Sequence, residues 1–200
     1  MRSIMLKSLS KSLILSFIVG MLLCVASVAG SAAAQNEAST PSRPVRLDLG
    51  FGQSPPGSHV QIPLILALPR GTQIGSATNE ITFPTELLSF QEAREGLSVE
   101  IAEAEVTTEV QPDEDNPENS ILTVTIVGKE GAVIPRGVLV DLVFEISLQA
   151  QLGETLILEN AASALSPGDS PQPLDPVTGN DGEIVIDETP VVFACFFYMH

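Results

Sequence analysis

Gly137-Val138-Leu139-Val140-Asp141-Leu142-Val143-Phe144-Glu145-Ile146-Ser147-Leu148 is the stretch that decides the fold. Val138, Val140, Leu142, Phe144, Ile146 and Leu148 share one parity, opposite Asp141 and Glu145. A period of two belongs to a pleated strand with one face in a core and the other in water. Burying each such side chain stabilises a fold by roughly 1.5–3 kcal/mol. Downstream, Thr155–Glu159 predicts a strand burying Leu156 and Leu158, and Gly182–Asp187 predicts another after a long Pro-rich loop. Upstream, Ile121–Val127 places Leu122, Val124 and Ile126 inward and Thr123 and Thr125 outward.

The same alternation runs back to Val45. Val45, Leu47, Leu49 and Phe51 share a face in a first strand, and Ser54-Pro55-Pro56-Gly57 makes a turn. Val60, Ile62, Leu64, Leu66 and Leu68 define a second strand. Pro63 lies on its other face and has no N–H for a ladder, which predicts an edge or a bulge there. Gly75–Phe83 predicts a third strand, with Ala77, Ile81 and Phe83 inward and Thr78, Glu80 and Thr82 outward. Leu87–Gln91 predicts a short fourth. Over 98–110 the apolar phase shifts from Val99 and Ile101 to Ala102, Ala104, Val106 and Val110. A fifth strand with a β-bulge near residue 102 accounts for the shift. Gly96, Val99 and Ile101 argue against the alternative, a helix over Glu92–Glu105. Nine strands and no convincing helix predict an all-β, two-sheet antiparallel sandwich.

The 200 residues suit one domain with extensions. The chain is 44% hydrophobic, 4% aromatic and without Trp, so aliphatic side chains must form the core. Residues 1–34 match a secretory signal: Arg2, Lys7 and Lys11, an apolar run from Leu13 to Ala29, then Ala32-Ala33-Ala34 before Gln35. An uncleaved anchor is the alternative. Leu23 stands where lipidation at Cys24 would need a small residue. Residues 35–44 predict a flexible leader, 45–188 the sandwich and 189–200 an apolar tail. All 25 acidic residues but only six of the nine basic ones follow Ala34, giving the mature chain a net charge of −19. That charge repels nucleic-acid backbones and anionic membranes. Cys195 is the one cysteine left after cleavage, so no intramolecular disulfide can form.

Several segments resemble the cohesin domain, over roughly Val45–Asp187. Phe83-Pro84-Thr85-Glu86-Leu87-Leu88-Ser89-Phe90 is similar to the family's aromatic-Asp-Pro segment, with Pro84 where the Asp usually stands. Gly137–Ile146 resembles its G-x-L-x-x-[IL]-x-F strand. Gly153–Ala161 resembles the following strand with its Asn-Ala exit, and Asp181–Ile186 the closing strand. The resemblance implies a nine-stranded antiparallel jelly-roll sandwich and a non-catalytic module. In well-known members one sheet face binds a dockerin, a small calcium-binding module of polysaccharide-degrading enzymes. The strand order it implies would put Thr78, Glu80, Thr123, Thr125 and Ile157 on that face. The bland alternative is that these are ordinary solvated strand residues.

Catalysis is not expected, because the only histidines are His59, beside a turn, and His200. One mature Cys and no His cluster exclude a transition-metal site. No cofactor is expected. Asp113, Glu114, Asp115, Asn116 and Glu118, or Asp175, Asn180 and Asp181, are weak calcium candidates without EF-hand spacing. A planar sugar platform would need exposed rings, yet the one Tyr is Tyr198 and Phe51, Phe83, Phe90 and Phe144 are predicted inward. The tail, Val191–His200, is too short to cross a bilayer as a helix, and its Cys195 is a candidate attachment point. The expectation is an exported, bacterial-type secreted or cell-surface binding module whose partner is another secreted or surface protein, or a glycan. A carbohydrate-binding module and a tail-tethered structural subunit are the alternatives.

Overall fold

The computed structural model describes residues 43–188. The signal segment, residues 35–42 of the leader and the tail with Cys195 lie outside the described residues. The elements are β1 (Val45–Leu49), β2 (Phe51–Ser54), β3 (His59–Ala67), β4 (Ser76–Pro84), β5 (Leu88–Glu95), α1 (Leu97–Ala102), β6 (Glu105–Pro112), β7 (Asn119–Val127), β8 (Gly137–Ile146), β9 (Thr155–Leu165), β10 (Val177–Thr178) and β11 (Gly182–Ile186). A five-stranded sheet runs β10-β1-β3-β8-β5, and a six-stranded sheet runs β2-β11-β9-β4-β7-β6. The sandwich is as expected, with eleven strands instead of nine. Most pairings are antiparallel, but β1 with β10 and β2 with β11 are parallel. The extra strands, β2 and β10, are four and two residues long, too short to show a period.

The core is aliphatic around one aromatic cluster. Phe144 packs edge-to-face on Phe83, from the facing sheet, at 5.4 Å and on Phe90, its β5 neighbour, at 5.7 Å. Such contacts add about 0.5–1.5 kcal/mol beyond the area buried. Leu47, Ile62, Leu64, Leu122, Val124, Ile126, Leu142 and Leu158 are fully buried around them.

The structure departs from expectation at several places. Residues 98–110 are not one bulged strand: α1 precedes β6, and the phase change marks the junction between helix and strand. Val99 and Ala102, three apart on one helical face, are buried. Gly96 does not oppose the helix because it is the N-cap and not an interior residue. Its N–H donates to Leu139 O at 2.7 Å, and a Cβ there would stand 2.5 Å from Val138 O.

Phe51 points outward and is 53% exposed. The chain leaves one sheet for the other at Gly50, and the parity that faces the core in the first faces away from it in the second. Gly52 takes the inward position, where a Cβ would lie 2.4 Å from Val60 and 2.5 Å from Ile62 side-chain carbons. In β8 the register shifts opposite Leu64 and Ile65, leaving Leu139 as the extra residue. Leu139 and Val140 are both buried, while Val138 turns to the half-exposed outer face opposite Ile65. Leu148 lies past the end of β8 and is 83% exposed.

Pro63 sits in an interior strand, not at an edge, and the bulge that was the alternative is found one residue on, at the register shift between Leu64 and Ile65. Its missing N–H faces the place where β1 has already ended. Gly50 N donates to Pro63 O at 2.9 Å, and Gly50 O is left to accept from Glu183 N of the other sheet at 3.3 Å. The residue that cannot donate thus sits where the chain changes sheets. A second bridge between the sheets is polar. Asn79 of β4 is fully buried and donates through Nδ2 to Asn160 Oδ1 of β9 at 2.8 Å. Asn160 Nδ2 donates to Leu47 O of β1 at 2.7 Å and to Asn180 O at 3.0 Å.

Candidate functional site

The outer face of the six-stranded sheet gathers most of the sequence-chosen residues. Thr78 of β4 lies opposite Thr125 of β7 and Ser163 of β9. Thr125 in turn faces Thr107 of β6. One row along, Glu80 lies between Thr123 and Ala161, and Thr123 faces Glu109. Four of the five residues therefore form two adjacent cross-strand rows on β9-β4-β7-β6. Inward neighbours such as Ala77, Ile81, Leu122, Val124 and Ala164 anchor the strands in the core, and alternation turns the Thr, Ser and Ala side chains out. Short side chains on central strands make a flat, low-relief surface with hydroxyls at its centre.

Ile157 stands apart. The pairing of β9 with β4 ends at Glu159 and Thr82, and Ile157 pairs instead with Glu183 of β11. It is 45% exposed. Thr107, Glu109, Glu159 and Ser163 belong to the same face and were missed by the sequence reading. For Thr107 and Glu109 the reason is the helix taken for a strand, which left the register of β6 undefined. Ser163 was missed because β9 runs six residues past its predicted end, whereas Glu159 closes the predicted strand and was not singled out.

No strand of the six-stranded sheet carries a Lys or Arg, whereas Glu80, Glu105, Glu109, Glu159 and Glu183 all lie on it. The ion pairs among the described residues, Arg46–Asp48 at 3.2 Å, Arg94–Glu92 at 2.7 Å and Lys129–Glu103 at 2.6 Å, take their cations from elsewhere. The face therefore presents uncompensated negative charge around its hydroxyl rows.

The acidic loop candidates are occupied with local structure. Asp113 Oδ1 accepts from Asp115 N at 2.9 Å, and Asn116 Oδ1 from Glu118 N at 3.3 Å. Asp181 Oδ1 accepts from Asn160 N at 2.9 Å. Among the described residues, no three His, Cys, Asp or Glu side chains gather as a metal site. His59 is exposed at the start of β3. Of the four phenylalanines among the described residues, only Phe51 is exposed. No described helix is long and apolar enough to cross a membrane.

Residues 45–186 match the family model described as the cohesin domain. The chain belongs to the cohesin family. Cohesins are non-catalytic protein-docking modules, and this cohesin is not an enzyme. Its fold is similar to that of the third cohesin of ScaC from Acetivibrio cellulolyticus, solved with the ScaB dockerin and displaying a type I interaction. That match has a TM-score of 0.60 and 21% identity, over 72% of this chain and 99% of the other. The OlpA cohesin of Clostridium thermocellum, solved with the dockerin Doc918, matches at TM-score 0.58 and 17% identity, over 72% and 99%. A non-cellulosomal cohesin from the archaeon Archaeoglobus fulgidus matches at 0.52 and 15%, over 72% and 91%. No curated protein sequence matches the chain.

Proposed function

We propose that this cohesin is exported and docks a second exported protein, of the dockerin type, through the outer face of the six-stranded sheet. The observation that carries the proposal is the pair of rows Ser163–Thr78–Thr125–Thr107 and Ala161–Glu80–Thr123–Glu109. A flat field of short hydroxyl side chains on central strands lets a partner's backbone or helix approach closely, with hydrogen-bond donors and acceptors at the centre of contact. Export is supported by the charged, apolar and small-residue regions of residues 1–34. Release to the medium or display on the surface both fit this reading.

The test is calorimetric titration with calcium-loaded dockerin modules, including ScaB and Doc918 types. Thr78→Arg and Thr123→Arg place a long cationic side chain in the middle of the face without disturbing the buried parity. A module that binds the wild type is expected to bind either variant at least about 100-fold more weakly, as for loss of a central interface contact. Binding to none of the modules, or equal binding by wild type and Thr123→Arg, would overturn the proposal. A glycan platform finds no comparable support, since Phe51 is a single ring and not a row.

A further inference from the structure

At the β2 edge of the same sheet, three outward side chains stand in one row. Glu183 of β11 is registered with Phe51 on one side and Ile157 on the other. Gly52, Ile184, Leu156 and Leu158 are the buried neighbours, so the alternate positions 51, 183 and 157 all face outward. Adjacent strands lie about 4.8 Å apart, so the carboxylate rises between an aromatic ring and a branched aliphatic side chain. Phe51 and Ile157 are 53% and 45% exposed. Glu183 makes no ion pair among the described residues, and the sheet offers it no cation.

We infer that the Phe51–Glu183–Ile157 row is a subsite for an arginine side chain of the docked partner. A planar guanidinium stacks on an aromatic face and pairs with a carboxylate. Its aliphatic stem covers apolar surface while the head stays polar. The row offers all three partners to one side chain: the ring of Phe51, the charge of Glu183 and the branched surface of Ile157. Lysine, a compact and strongly hydrated charge, would gain less from the ring. This inference rests on the reading that the sheet docks a protein, and it extends that face beyond the Thr rows to the β2–β11 edge. Ile157, separate from the other four candidate residues, belongs to this part of the face.

The experiment titrates the full 15N-labelled chain with N-acetyl-arginine amide, with N-acetyl-lysine amide and uncharged N-acetyl-citrulline amide as controls. The expected result is a saturable movement of the backbone resonances of Phe51, Glu183 and Ile157 by the arginine compound. Lysine should bind more weakly and citrulline should leave the resonances in place. Phe51→Ala is expected to raise the arginine midpoint by about two- to fivefold, the range for an exposed cation–π contact, and Glu183→Gln to raise it too. Both positions are exposed, so neither variant threatens the fold. Arginine shifts spread equally over the Asp113–Glu118 loop, equal binding of lysine, or an unchanged midpoint in either variant would overturn the subsite. Failure here leaves the dockerin test untouched, because that test depends on the Thr rows.

Discussion

Asn79 is a polar residue at an inward position, between Ala77 and Ile81 on the core side of β4. Burying an amide is costly unless its hydrogen bonds are made. Asn160 meets that need in part and also ties Leu47 O of the facing sheet into the same network. Asn79 Oδ1 remains buried without a partner, so the two asparagines are not equivalent. Asn160→Ala strands the Asn79 amide and the Leu47 carbonyl together, at about 1–3 kcal/mol for each group. Asn79→Ala strands only Asn160 Oδ1 and removes the unpartnered oxygen, so the expected loss is smaller, on the order of 1 kcal/mol. Urea unfolding should therefore rank wild type, Asn79→Ala and Asn160→Ala in descending stability. Equal losses would contradict the network. At this scale the sequence was only partly legible. Asn160 stood out as part of the Asn-Ala exit, but its partners lie 81 residues upstream at Asn79 and 113 upstream at Leu47.

Elements were legible where the pattern was long and one-faced. Leu122, Val124 and Ile126 in β7 and Val140, Leu142, Phe144 and Ile146 in β8 are buried as alternation requires. The reading failed where a long-range constraint interrupted the period. One case is the extra residue Leu139, which reverses the face of Val138. Another is the crossing at Gly50, which turns Phe51 outward. α1 was hidden because six residues make too short a window for a helical period, and its cap glycine resembled a breaker. Mutation separates the two assignments. A strand would place Val99 and Ile101 on the same face, whereas the helix buries Val99 completely and leaves Ile101 65% exposed. Val99→Ala should cost about 1.5–3 kcal/mol for the buried carbons and the cavity left behind. Ile101→Ser should stay within about 0.5 kcal/mol of wild type, as exposed substitutions do. Similar losses at both positions in thermal or urea unfolding would mean that the segment is not helical.

For the molecule as a whole, the sandwich and its aliphatic core were legible in the sequence because they depend on the sum of many repeated choices. The proposed docking face was legible only as far as strand order and parity reach, since exposed Thr and Glu residues look alike on any solvated strand. Charge acts at this scale too, and in two opposite ways. The described domain carries the six basic residues that follow Ala34 against nearly all of the 25 acidic ones. Self-repulsion of that magnitude opposes the compact state, and salt screens it, with a Debye length falling from about 30 Å at 0.01 M to about 10 Å at 0.1 M. The unfolding midpoint should therefore rise as sodium chloride is increased through that range. An arginine-bearing partner responds in the reverse sense. Glu80, Glu109, Glu159 and Glu183 attract it across the same distances, so its association rate should fall as salt rises. Measured together on one preparation, the two trends separate a field that destabilises the fold from a field that recruits a partner. If stability and association rate both rise with salt, the negative face is not guiding the encounter.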